Sequence, residues 1–184
     1  MKITLGITGA TGVIYGIRLL EFLKETEHHV TLIMSTWAAK TMVLETEYQV
    51  DYVKSLADVC YENDNLAAPV ASGSYGSDAV IIAPCSMKTL AAVANGFSDN
   101  LIVRVADVAL KERRPLVMMP RETPLTAIHL RNMSTVTAAG AILVPPMAGF
   151  YHQPKTVDDI INQSVGKVLD VLFIPHNLFK RWGE

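Results

Sequence analysis

Five short apolar runs, Ile3–Ile7, Val30–Met34, Ala79–Ala83, Pro115–Met119 and Ala141–Val144, recur along this sequence with segments of helical period between them. Their Val, Ile, Leu and Met residues are continuous rather than alternating with polar ones, which predicts strands covered on both faces. Val13–Lys24, Ala38–Leu44, Ser86–Ala94, Leu101–Arg113, Pro124–Ala138 and Val157–Leu172 read as helices. Thr156 is placed to cap the last of them, with Asp158 and Asp159 in its first turn favouring the helix dipole. Strand–helix alternation of this kind predicts an α/β fold, a doubly wound parallel sheet with helices on both faces. The chain has 184 residues, enough for one sizeable core, so residues 1–184 are expected to form a single domain.

The unusual residues stand directly after the expected strands, in Thr8–Gly12, Ser35–Trp37, Pro84–Thr89, Pro120–Glu122 and Pro145–Pro154. In an open parallel sheet these loops share the edge where ligands bind. Gly9-Ala10-Thr11-Gly12 can cradle a phosphate with backbone N–H groups and the Thr11 hydroxyl, or serve only as a tight strand-to-helix turn. The glycines fall at 9, 12 and 16, not in dinucleotide spacing, and Ser35 ends the second strand where NAD would want an acid. A mononucleotide phosphate is the better match. Ser86 and Thr89 flank another helix start, which is either a second set of phosphate donors or an ordinary cap. Cys85 has no His nearby in sequence and reads as a small buried thiol rather than a nucleophile.

Arg121 and Glu122 follow a buried strand. They form either a structural ion pair or an anion-binding arginine beside an acid/base carboxylate. Ser72-Gly73-Ser74-Tyr75 is either a flexible loop or a hydroxyl-bearing lid. Lys111 to Arg114 close a helix, where cations suit the dipole. Gly149-Phe150-Tyr151-His152 offers ring surface with a phenol and an imidazole, which either suits a greasy group on a polar head or is a packed loop with an exposed His. Trp37 and Trp182 are site walls or packing.

Half the residues are apolar, 18% are charged, and the net charge is −2, which leaves no electrostatic footprint for nucleic acid or an anionic membrane. Two cysteines with no CxxC pair argue against a disulfide framework and against metal. No run approaches the roughly 20 apolar residues of a membrane span, so a cytosolic protein is expected.

The stretches ITLGITGATGVIYG, ASGSY, IIAPCSMKTLAAVANG, DNLIVRVADVALKERRPLVMMPRE, PLTAIHLRNM, GFYHQPKTVDDI and a final RWGE cover nearly the whole chain. Together they closely resemble the UbiX-type flavin prenyltransferases, also known as the B subunit of phenolic acid decarboxylases. The resemblance implies a Rossmann-like or flavodoxin-like sheet. It implies that FMN lies across Gly9, Ala10, Thr11, Ser35, Ser86, Met87, Lys88, Thr89 and Arg121. Dimethylallyl phosphate is then expected to meet Lys111, Arg121, Glu122, Tyr151 and Lys167. Glu45, Ser72 and Arg104 correspond to further polar positions around that site, Arg104 on the flavin side and the other two among the catalytic groups. Some relatives carry Arg where this chain has Lys167, exchanging a bidentate fork for a point charge.

The implied reaction joins a dimethylallyl group to N5 and C6 of reduced FMN, and the product serves a separate UbiD-type decarboxylase. No DDxxD-like cluster is present, so a monophosphate leaving group held by Lys111, Arg121 and Lys167, without metal, is expected, with Glu122 as acid/base. A domain this small lacks a second lobe to cover a flavin, which points to a homo-oligomer; the family implies a dodecamer. A cysteine decarboxylase of similar fold would carry an Asn in the stretch that here reads Pro145 to Tyr151. A flavodoxin-like electron carrier would not need Lys111, Arg121, Glu122 and Tyr151 together, and the chain offers no set for an aromatic carboxylate.

Overall fold

The structure is a computed structural model that describes residues 1–183; Glu184, the last residue of the RWGE stretch, lies outside the described residues. Six parallel strands form one sheet: β1 (Lys2–Ile7), β2 (His29–Met34), β3 (Val59–Glu62), β4 (Ala79–Cys85), β5 (Leu116–Pro120) and β6 (Ile142–Leu143). Their order is β3-β2-β1-β4-β5-β6. The chain winds outward from β1 to β3, then crosses back to β4 on the other side of β1. The register pairs Ile3 with Val30 on one flank of β1 and with Ala79 on the other.

Among the described residues seven α-helices cover the sheet: α1 (Ile14–Lys24), α2 (Thr36–Glu45), α3 (Val50–Ser55), α4 (Met87–Ala94), α5 (Leu101–Lys111), α6 (Ala127–Ala138) and α7 (Val157–Val171). Side chains of α1, α2, α3 and α7 pack one face around Leu5, Leu32 and Ile81. The other face holds Ile33, Ile82 and Met118 against α4, α5 and α6. Every residue of β4 and β5 is buried, the arrangement that continuous apolar runs require. Thr156 caps α7, as the sequence predicts, and Asp159 completes a capping box with it.

The sheet has one strand more than expected. β3 is four residues long, at the sheet edge, with burial that alternates between partial and none, so it lacks the apolar continuity that marks the other strands. The expected helix from Pro124 starts at Ala127, because Thr126 and His129 form a capping box there. Among the described residues no helix is long and apolar enough to cross a membrane.

Candidate active site

The direction in which strands are added to the sheet reverses between β1 and β4, so the loops that follow them diverge and leave a crevice at the carboxyl edge of the sheet. A cleft of about 300 Å³ occupies this place, lined by Thr8, Gly9, Ser35, Trp37, Asn63, Ser86, Lys88, Thr89, Asn100, Ala92, Ile102 and Val103. Thr8 ties its two sides together. Its buried hydroxyl donates to Pro84 O at 2.8 Å and accepts from the Ser86 N–H at 2.8 Å. Gly9 is required by close approach, since a Cβ there would stand 2.5 Å from Trp37 Cβ.

Two helices point their starts at the cleft. Ser35 caps α2, accepting from the Ala38 N–H at 3.1 Å, and Ser86 caps α4, accepting from Thr89 at 3.3 Å. Each cap contributes about 1 kcal/mol while leaving earlier N–H groups of its helix for an anion. The ordinary-cap reading and the anion-site reading thus describe the same residues. Lys88 stands on the first turn of α4 and has no ion-pair partner among the described residues.

Gly9, Ser35, Ser86, Lys88 and Thr89, all expected at a flavin, line this one cleft. Ala10 and Thr11 continue the Gly9 loop, and Met87 opens α4 while packing on the core behind it. Glu45, at the end of α2, reaches back to accept the Gly12 N–H at 2.8 Å. Arg121 follows β5 and is fixed through its own N–H to Cys85 O at 3.2 Å. Burial pushes the Tyr15 phenol up, and the positive Arg121 acts against that rise. The Tyr15 ring itself packs over Gly12 of the first loop. Neither Arg121 nor Glu122 has an ion pair among the described residues, so the structural-pair alternative is not what the chain forms. Among the described residues the Glu122 carboxylate accepts only the Thr123 N–H, at 3.0 Å.

Other expected residues lie elsewhere. Arg104 sits on α5, donating to Ala71 O at 3.1 Å and to Asp107 at 2.7 Å. α5 leads away from the cleft, from Leu101 against Asn63 toward the edge where β5 begins. Lys111 therefore stands at the far end, paired with Glu112 and close to Gly73. Ser72 caps the short turn beside it and is not in the cleft. Tyr151 follows β6, its ring edge-on to Trp182 at 5.9 Å. Lys167 lies on α7, 3.4 Å from Asp170. Burial opposes the ionised Asp170, but hydrogen bonds from Arg181, His176 and Lys167 hold its carboxyl below the usual range. None of Arg104, Lys111, Ser72, Tyr151 and Lys167 lines the cleft of its own chain.

Asn63 and Asn100 line the cleft but are absent from the sequence expectation. Both lie around β3 and the start of α5, the region where the missed strand left no edge to read. Cys85 is fully buried, and burial pushes its thiol well above the ordinary range, so it is not a nucleophile at neutral pH. Among the described residues no group of three or more His, Cys, Asp and Glu is placed to hold a metal ion.

Residues 1–169 match the family described as Flavoprotein. The chain is 56% identical, over 185 aligned positions, to flavin prenyltransferase UbiX of Methanocaldococcus jannaschii, covering 100% of this chain and 99% of that one. Its fold superimposes with a TM-score of 0.98 on AnUbiX (PadA1) in complex with FMN and dimethylallyl pyrophosphate, 48% identical, covering 100% of this chain and 97% of that one. The TM-score is also 0.98 to a dodecameric FMN-dependent UbiX-like decarboxylase from Escherichia coli O157:H7, 46% identical, with both chains fully covered.

Proposed function

Since this chain belongs to the flavoprotein family and, within it, to the UbiX flavin prenyltransferases, we propose that its 184 residues act as one domain that attaches a dimethylallyl group to N5 and C6 of reduced FMN. The observation that carries the reading is the cleft between the loops after β1 and β4, where two helix starts, the hydroxyls of Thr8, Ser35, Ser86 and Thr89, and a lysine with no ion-pair partner among the described residues converge. That donor set suits FMN. Backbone N–H groups of the Gly9 loop and of α4 would hold the phosphate, with Lys88 and Arg121 supplying charge. Ser35, Ser86 and Thr89 offer hydroxyls, and Ile102 and Val103 an apolar wall for the ring. At about 300 Å³ the cleft is at the small end for ligand sites, so part of the ring reaches the rim beside Trp37.

When bound and reduced, FMN supplies the nucleophilic ring atoms. The chain supplies the rest. Lys111, Arg121 and Lys167 stabilise the charge that develops on the departing phosphate, and Glu122 moves the proton. Fixed cations are worth most where water is excluded. Lys111 and Lys167 lie outside their own chain's cleft, so neighbouring subunits complete the site, and the working form is a homo-oligomer, by likeness a dodecamer. Exposed Trp37, Leu44, Ile128, Phe150 and Phe173 supply apolar surface for such contacts. The donor is dimethylallyl monophosphate, and the product passes to a UbiD-type decarboxylase.

Mass spectrometry of the flavin released after anaerobic incubation with reduced FMN and dimethylallyl phosphate tests the reaction. A gain of one isoprene unit is expected; unmodified, tightly held FMN would favour an electron carrier. Running the diphosphate in parallel decides the donor. Lys167→Ala is expected to raise the KM for the donor roughly 10-fold, the loss of one charged hydrogen bond, and to leave FMN affinity unchanged. Loss of FMN instead would put Lys167 at the flavin.

A further inference from the structure

Asn63 follows β3 at the carboxyl edge of the sheet and stands in the wall of the cleft. Its main-chain carbonyl accepts the Leu101 N–H at 2.7 Å, and its side-chain Oδ1 accepts the Ile102 N–H at 3.0 Å. These are two of the N–H groups that the start of α5 leaves without helical partners. The bond from Ile102 settles which end of the carboxamide is which, because only the oxygen can receive an N–H. The amide nitrogen is then turned away from α5 and has no partner among the described residues. Asn100 differs, since its oxygen caps Val103 and its nitrogen is already used on Asp99 at 2.7 Å. Of the two asparagines in the cleft, Asn63 alone keeps its donor in reserve. Beside it are Ile102 and Val103, which offer surface to a ring face but nothing to its polar edge.

We infer that the Asn63 amide nitrogen is a specificity-determining donor that reads a carbonyl or ring-nitrogen acceptor on the edge of the flavin, held in aim by the helix start that its oxygen caps. The inference rests on the FMN reading given above. Capping and recognition are joined in one side chain: the bond to Ile102 restricts the carboxamide, so little freedom is lost when the ligand arrives.

Two substitutions separate the roles. Asn63→Asp keeps an oxygen for Ile102 and removes the donor, at the cost of a new charge. Asn63→Leu removes donor and cap with no charge. They share only the loss of the amide donor. Titration of the full-length apo-protein with FMN, followed by flavin fluorescence, is expected to show both weakened by about 10-fold. The visible absorption band of bound flavin should also shift in both, and only Asn63→Leu should lower the Tm of the apo form. Weakening confined to Asn63→Asp would be charge repulsion, and weakening confined to Asn63→Leu would be the lost cap; either overturns the inference, as does wild-type affinity in both. Failure of the wild-type chain to bind FMN overturns the functional reading along with it.

Discussion

Replacing Glu122 by Gln is expected to slow prenyl transfer by on the order of 10²-fold or more while FMN uptake stays as in the wild type. Glu122 follows β5 at the edge that carries the cleft, and its carboxylate has no cationic partner among the described residues. Its carboxylate accepts the Thr123 N–H at 3.0 Å. Gln retains an oxygen for that bond and the same length, so the loop has no reason to move. What it removes is the capacity to give or take a proton. A neutral hydrogen bond contributes only about 1 kcal/mol, too little for a 10²-fold change, so a loss of that size reports chemistry rather than structure. Single-turnover mass spectrometry of the flavin, anaerobic and with donor in excess, separates the two. An unchanged rate removes Glu122 from the mechanism.

Gly16→Val should have the largest effect on the fold. Gly16 is buried in α1, where the helix presses on the sheet, and a Cβ there would run into the carbonyl oxygen of Ala83 and stand 2.9 Å from Ile7 Cδ1. A backbone oxygen cannot swing aside as a side chain can. Overpacking of about 3 kcal/mol corresponds to roughly a 6–12 °C fall in Tm for a chain of this size. The strain is transmitted, because Ala83 precedes Pro84, whose carbonyl anchors the Thr8 hydroxyl. FMN affinity should therefore fall with stability, although Gly16 does not line the cleft. Thermal unfolding and FMN titration of one preparation check both, and a Tm within 2 °C of wild type, on the order of 1 kcal/mol or less, would mean that α1 rides away from β4 without cost.

What could be read from the sequence follows from which residues have a single physical use. Val80 to Ala83 and Leu116 to Met119 are short continuous apolar runs bounded by turn residues, and Thr156 with two acids in the turn after it suits a helix start, so those elements were legible. β3 was not, because Val59-Cys60-Tyr61-Glu62 owes its conformation to pairing with Thr31 to Met34, a partner that local pattern does not reveal. The same limit applied to the site. Gly9, Ser86 and Thr89 stand out by type and by position at strand-to-helix turns, whereas Asn63 looks like any loop asparagine until β3 and α5 are seen to meet there. Lys111 and Tyr151 were named through family likeness; their placement away from the cleft belongs to tertiary geometry that spacing does not encode.

The unequal burial of the two thiols has a practical consequence. Cys85 is sealed under the cleft floor, while Cys60 is exposed on β3, three positions before Asn63. Burial raises the Cys60 thiol as well, with nearby Lys54 acting in the opposite direction, so mildly alkaline buffer favours its reaction. A maleimide dye should then attach once per native chain, at Cys60 alone, as peptide mapping would show. The unmodified sequence thus carries its own attachment point for a fluorescent reporter on β3, the strand that leads to Asn63 in the cleft wall.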